Sequence, residues 1–124
     1  MARILVIDDE ELMRFTLKQT LQKAGHEVVE AVNGNDGIAV FKQSPVDLII
    51  TDIIMPQKEG IETIVELRRD YPDVKIIAIS GGGRTGTTNY LKLAQRFGAR
   101  QVLRKPFGRQ ELLEAVQETL DNAE

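Results

Sequence analysis

The sequence predicts an α/β fold with one doubly wound, five-stranded parallel sheet. Short runs of β-branched residues alternate along the chain with longer stretches in which apolar residues recur at helical spacing. The first run, residues 4–7, is apolar throughout, as expected for a strand that is covered on both faces. Strands that alternate with helices form βα units, and successive βα units build a parallel sheet.

The predicted strands share a high content of valine and isoleucine. The second is more polar than the others, so we expect it near an edge of the sheet. The fifth is the shortest. The predicted strands are 3–7, 27–32, 46–51, 74–79 and 101–103.

The predicted helices follow from apolar stripes and from the residues that end them. Gly25 is placed to end the first helix, and Asn33 with Gly34 marks a turn before the second. Pro45 breaks the second helix, and the third stops near Pro72. The five stripes are Met13, Leu17, Leu21 and Ala24; Ile38 and Phe41; Ile61, Ile64, Val65 and Arg68; Leu91, Ala94 and Phe97; and Leu113, Val116, Leu120 and Ala123.

Composition restricts the chain to a few classes of protein. Its 124 residues fit one domain, 1–124, without a linker or repeat. Without cysteine it can form no disulfide and no thiolate metal site, which fits a cytoplasmic protein. A net charge of −3 gives no general attraction to nucleic acid, and no apolar run approaches the roughly 20 residues of a membrane span. We therefore expect no direct nucleic-acid binding and no membrane association.

Polar side chains follow four of the predicted strands. Asp8 and Asp9 come after the first strand, Asp52 after the third, Ser80 after the fourth and Lys105 after the fifth. In the flavodoxin-like strand order 2-1-3-4-5, the first and third strands are neighbours, and ligands bind at the carboxyl ends of the strands. The sequence therefore predicts that these five side chains meet at one edge of the sheet.

Three carboxylates at one edge must hold protons or bind a cation. At ~5 Å and an effective dielectric of about 20, each pair of charges repels by roughly 3 kcal/mol. Oxygen ligands favour a hard ion, Mg²⁺ first, with Ca²⁺ and Mn²⁺ as alternatives. A metal held by Asp8 and Asp9, with Lys105 and Ser80 opposite, suits phosphoryl transfer, and Asp52 is the best candidate for the nucleophile.

Each signal also has a simpler interpretation. Asp9 could cap the first helix, Asp52 could be an ordinary loop residue, and Ser80 could belong to a flexible glycine-rich loop. The dipeptide Lys105-Pro106 could be a plain turn. Their coincidence at one edge of the predicted sheet favours a functional site.

Four ordered motifs resemble the receiver domain of two-component response regulators, and the resemblance covers the whole chain. They are residues 6–10, 47–56, 79–81 and 103–107. The resemblance implies that Asp52 accepts a phosphoryl group from a histidine kinase or a histidine phosphotransfer protein. It also implies a phosphoacceptor signalling domain, which is not an enzyme beyond self-directed phosphotransfer and dephosphorylation.

The resemblance implies a Mg²⁺ site. Asp9 and Asp52 would bind the ion directly together with the backbone carbonyl of Ile54, and Asp8 would bind it through water.

It also implies how the bound phosphoryl group is detected. Lys105 would pair with the phosphoryl oxygens, Ser80 would donate a hydrogen bond to them, and the bond between Lys105 and Pro106 would be cis. The inward motion of Ser80 would reshape the surface formed by the predicted fourth helix, fifth strand and fifth helix. A downstream protein target or effector domain would bind there, and dimerisation on phosphorylation is an alternative use of the same surface.

One position departs from the family pattern. Receivers usually carry Tyr or Phe three residues before the lysine, where this chain has Val102. We expect motion of loop 81–86 and of the following helix, with Tyr90 repositioned, to carry the signal instead. The alternative is an interaction scaffold with weak or no phosphorylation-dependent output.

Two other classes of protein fit the sequence less well. A phosphohydrolase of the haloacid dehalogenase type needs a second aspartate two residues after the nucleophile, where this chain has Ile54. A flavodoxin-like mononucleotide binder needs a phosphate loop after the first strand. Here the acidic residues 8–11 would repel phosphate in the absence of a metal.

Overall fold

The chain folds into alternating strands and helices. The structure, a computed structural model, describes residues 2–53, 59–80, 92, 95–96 and 98–121. Its elements are β1 (Arg3–Ile7), α1 (Glu11–Lys23), β2 (Glu27–Ala31), α2 (Gly34–Gln43), β3 (Leu48–Asp52), α3 (Glu59–Asp70), β4 (Ile76–Ser80), β5 (Gln101–Arg104) and α4 (Arg109–Asp121). The stripe residues of the predicted fourth helix, Leu91, Ala94 and Phe97, lie outside the described residues. Residues 92 and 95–96 between them are helical, but they receive no element label, and α4 denotes the C-terminal helix. Within the described part, no helix has the length and apolar character of a membrane span.

All five strands form one parallel sheet in the order β2-β1-β3-β4-β5, which confirms the predicted fold class. The three central strands are buried along almost their whole length. β2 lies at an edge, as its polar sequence predicted; its residues Glu27 and Glu30 are exposed, and only Ala31 is fully buried. The pair Ser80 and Arg104 closes the register between β4 and β5 at the carboxyl edge of the sheet.

Helices cover both faces of the sheet, and each face has its own core. On one face, Leu5 and Ile7 pack with residues of α2 and α3 such as Phe41 and Leu67. On the other face, Ile4 and Val6 pack with Leu17 and Leu21 of α1 and with residues of α4. Because alternate residues of β1 enter opposite cores, its position is fixed from both sides.

The predicted stripe of the last helix was partly wrong. The residues of α4 that are buried are Leu112, Ala115, Val116 and Thr119. Of the predicted residues, Val116 is buried, Leu113 and Leu120 are only partly buried, and Ala123 lies outside the described residues. Thr119 can face the core because its hydroxyl donates to the carbonyl of Ala115 at 2.8 Å, which satisfies the buried hydroxyl.

Two helix ends have clear local causes. Gly25 follows α1 with a φ of 97°, which favours glycine, as its predicted role at the helix end requires. Asn33, predicted to mark a turn, is the N-cap of α2, and its side-chain oxygen accepts from Asp36 N at 2.8 Å.

Candidate functional site

The carboxyl edge of the sheet brings together the side chains singled out in the sequence. Asp52 and Ser80 are the last residues of β3 and β4, whereas Asp8 and Lys105 directly follow β1 and β5. Lys105 N donates to Ser80 O at 2.8 Å, which continues the pairing of β4 and β5 past the last paired residues. The polar residues therefore share one edge because the strands that carry them are parallel and in register.

Asp8, Asp9 and Asp52 form a carboxylate cluster. One oxygen from each lies within 4.8 Å of the others. Asp8 and Asp52 are buried, with 1% and 5% of their surface exposed, while Asp9 is exposed. The cluster thus combines two buried carboxylates with one that is accessible to solvent.

Asp8 is the carboxylate with the most unusual environment. One oxygen, Oδ1, accepts from Glu10 N at 2.8 Å. The other, Oδ2, is buried without a hydrogen-bond partner among the described residues and lies 3.9 Å from Lys105 Nζ. Burial, reinforced by the charges of Asp52 and Asp9 and opposed by the Glu10 hydrogen bond and by Lys105, raises the pKa of Asp8 from 3.8 to about 6. A buried anionic oxygen without a partner is a position where a bound cation would be stabilising.

Lys105, which follows β5, places its ammonium group beside the carboxylate cluster. Its Nζ lies 3.2 Å from Asp52 Oδ2 and 3.5 Å from Glu10 Oε1, in addition to its longer contact with Asp8. Burial alone would lower the pKa of Lys105, but the charges of Asp52, Asp8 and Glu10 outweigh it, so the pKa is raised above its ordinary value. Lys105 therefore remains a cation and partly neutralises the cluster.

Two residues of the site were missed in the sequence. Arg14 donates from Nη1 to the backbone carbonyl of Asp8 at 2.8 Å and also pairs with Glu30 at 3.4 Å. Glu10 contacts Lys105 across 95 positions of the chain. The signal for Arg14 was its place one helical turn after Glu10, whereas nothing local to Glu10 indicates a distant lysine.

The capping interpretation of Asp9 is wrong. The N-cap of α1 is Glu10, with φ −92° and ψ 117°, and its side chain makes no capping hydrogen bond. Asp9 is exposed and supplies an oxygen to the carboxylate cluster instead.

The remaining predicted positions differ in what the structure shows. Ser80 is fully buried at the end of β4, and Val102 is partly buried and packs against the core beneath α2 and α3. The peptide bond between Lys105 and Pro106 is cis. Ile54 lies outside the described residues, as do loop 81–86 and Tyr90.

Comparison with known proteins shows which family the chain resembles. The family model described as response regulator receiver domain matches residues 4–117. The chain is 36% identical to the chemotaxis protein CheY of Thermotoga maritima over 92% of its own length and 93% of that protein. It is 34% identical to protein PilH of Pseudomonas aeruginosa over 97% and 98%. A crystal structure of a receiver domain protein from Clostridium thermocellum superposes with a TM-score of 0.88 at 32% identity, covering 98% of this chain and 95% of that one.

Relatives of this chain also occur within longer proteins. It is 36% identical to part of the transcriptional regulator NtrC of Azospirillum brasilense and 31% identical to part of the sensor kinase CckA of Brucella abortus. It spans 24% of the former and 13% of the latter. The same unit is therefore found both as nearly a whole protein and as a segment of larger ones.

Proposed function

Because the chain belongs to the response regulator receiver domain family, we propose that it accepts a phosphoryl group on Asp52 in a Mg²⁺-dependent reaction. Phosphorylation of an aspartate and Mg²⁺ binding at an acidic pocket are general features of this family, whose members are signalling modules. The observation that carries the proposal is the distance of 3.2 Å between Lys105 Nζ and Asp52 Oδ2 beside a cluster of carboxylates. The proposed nucleophile, a lysine cation and the proposed metal ligands therefore lie close together.

The carboxylate cluster has the chemistry of a Mg²⁺ site. Its donors are all oxygen, and Asp8 Oδ2 is a buried oxygen for which the described part of the chain offers no hydrogen-bond partner. Asp9 and Asp52 would hold the ion directly with the carbonyl of Ile54, and Asp8 would hold it through water. When bound, the ion would neutralise charge on the phosphoryl oxygens.

The residues of the chain itself perform the transfer. A carboxylate oxygen of Asp52 attacks phosphorus, and the bond from phosphorus to the donor's leaving group breaks as the aspartyl-phosphate forms. Lys105 then moves its charge from the Asp52 carboxylate to a phosphoryl oxygen, a short step from its position at 3.2 Å. Ser80, on the neighbouring strand, donates a hydrogen bond to another phosphoryl oxygen.

The donor would be a histidine kinase or a histidine phosphotransfer protein, encountered in the cytoplasm. The output surface would include β5 and α4, and a target protein, an effector domain or a second copy of the chain would bind there. Val102 on β5 favours a second candidate, an interaction scaffold with weak or no phosphorylation-dependent output. A partly buried valine against the core has no ring that could turn between exposed and buried positions.

Intact-mass measurement after incubation with acetyl phosphate and Mg²⁺ tests the proposal. We expect the wild-type chain to gain one phosphoryl group that hydroxylamine removes, and Asp52→Asn to gain none. Asp73→Asn is a matched control, because Asp73 lies before β4 at the opposite edge of the sheet. Equal modification of the wild-type chain and Asp52→Asn would overturn the assignment of Asp52.

A further inference from the structure

Glu10 contacts Lys105 from the rim of the site. Its Oε1 lies 3.5 Å from Lys105 Nζ, and 66% of its side chain is exposed. We propose that Glu10 is an electrostatic gate, a positioning residue that slows phosphoryl transfer from small, doubly charged donors. It would act by sharing the charge of Lys105 and by repelling the donor. The inference rests on the proposed function, because it concerns the donor selectivity of the same site.

The place of Glu10 in the fold leaves its carboxylate available for this role. Glu10 occupies the N-cap position of α1, where Ser, Thr, Asp and Asn are preferred, and its side chain makes no capping hydrogen bond. Its backbone N–H donates to Asp8 Oδ1 at 2.8 Å, which fixes the backbone of Glu10 beside the carboxylate cluster. The side chain extends from this anchored backbone to Lys105.

The balance of charge at the site makes one additional carboxylate significant. The ammonium group of Lys105 already faces Asp52 at 3.2 Å and Asp8 at 3.9 Å. A phosphoryl donor must compete with these carboxylates for Lys105, and Glu10 is the competitor nearest to solvent. An ion pair as exposed as that of Glu10 adds little to folding stability, but a charge at the entrance of a site acts on every charged molecule that approaches.

The proposal gives a quantitative relation between donors. The interaction of a fixed charge with a donor is proportional to the donor's charge. Neutralising Glu10 should therefore accelerate transfer from a doubly charged donor by the square of the factor by which it accelerates transfer from a singly charged donor. At low salt we expect Glu10→Gln to accelerate transfer from acetyl phosphate, a dianion, by about fourfold, and transfer from singly charged phosphoramidate by about twofold. At 1 M salt, where screening acts within about 3 Å, both effects should disappear.

The experiment compares initial rates of phosphorylation, measured by intact mass at saturating Mg²⁺. The saturating Mg²⁺ concentration is determined separately for each variant. Glu11→Gln is the matched control, because it removes the same charge from the next residue, which lines the groove on the outer face of α1. Glu10→Asp keeps the charge at the rim and should retain the wild-type ratio of the two donor rates. We expect only Glu10→Gln to change that ratio.

The outcomes separate the gate from the proposed function. Equal rates for Glu10→Gln and Glu11→Gln, equal acceleration with both donors, or acceleration that persists at 1 M salt would each overturn the gate. Each of these results would leave phosphorylation of Asp52 standing. Asp52→Asn should take up no phosphoryl group from either donor. If the wild-type chain also takes up none, both proposals are overturned.

Discussion

Replacing Asp8 by asparagine should stabilise the protein at neutral pH in the absence of Mg²⁺. The structure raises the pKa of this carboxyl from 3.8 to about 6, mainly through burial. Ionisation of Asp8 is therefore less favourable in the folded chain than in the unfolded one. Asparagine retains an oxygen that can accept from Glu10 N, the contact that Oδ1 makes at 2.8 Å, but it carries no charge.

The size of the effect follows from linkage between protonation and folding. Each tenfold difference in proton affinity is worth about 1.4 kcal/mol, so a pKa raised from 3.8 to about 6 destabilises the folded wild-type chain by about 3 kcal/mol above pH 6. As pH falls from 6 towards 3.8, the folded state takes up its proton first and the cost declines. Below pH 3.8 both states are protonated and the cost is absent.

Urea denaturation followed by far-ultraviolet circular dichroism tests this reasoning, since the chain has no tryptophan for fluorescence. With EDTA present, Asp8→Asn should be more stable than the wild-type chain by about 3 kcal/mol at pH 7.5, and the difference should shrink steadily towards pH 4. A variant no more stable than wild type at pH 7.5 would refute the reasoning, as would an advantage that is constant with pH.

Three further predictions concern the metal, the core and a helix end. The apparent affinity for Mg²⁺ should fall about tenfold between pH 7 and pH 5 in titration calorimetry, because Asp8 becomes protonated around pH 6; unchanged affinity would exclude Asp8 from the metal site. Gly37→Ala should lower the free energy of unfolding by about 1–3 kcal/mol, because the added Cβ would lie 2.8 Å from Ile7 Cγ1 and clash with Cδ1. Gly108→Ala, with open space around the new Cβ, is its control and should change stability by less than about 0.5 kcal/mol. Asn33→Ala should cost about 1 kcal/mol in the same denaturation assay through loss of the α2 cap, and an unchanged midpoint would contradict that role.

The sequence predicted the sheet because a parallel strand that is buried on both faces is a continuous run of apolar residues. It predicted strand ends less well: the third strand was expected at 46–51 and the fourth at 74–79, whereas β3 is Leu48–Asp52 and β4 is Ile76–Ser80. Val74 is buried in the core although it precedes β4, and Val46 packs against the same core ahead of β3. An apolar run reports burial, and burial extends beyond the residues that pair.

The carboxylate cluster could be predicted for a related reason, and its surroundings could not. Residues that directly follow parallel strands must meet at one edge, which brings Asp8 and Asp52 together whatever the details of packing. The contact of Glu10 with Lys105 depends instead on how far two long side chains extend from separate elements. The link from Arg14 to the Asp8 carbonyl depends in the same way on the position of α1 over the sheet. Neither length nor position is encoded in a local pattern.

The hydrogen bond from Lys105 N to Ser80 O has a consequence for the entropy of binding. This hydrogen bond fixes the backbone of Lys105 relative to the backbone of Ser80 as the sheet forms, before any ligand binds. A group bound between these residues therefore needs to immobilise only side-chain torsions, which cost at most about 2 kcal/mol for a lysine and less for a serine. The ordering of the backbone at this edge is supplied by folding, so the affinity of the site and the stability of the sheet's carboxyl edge should rise and fall together.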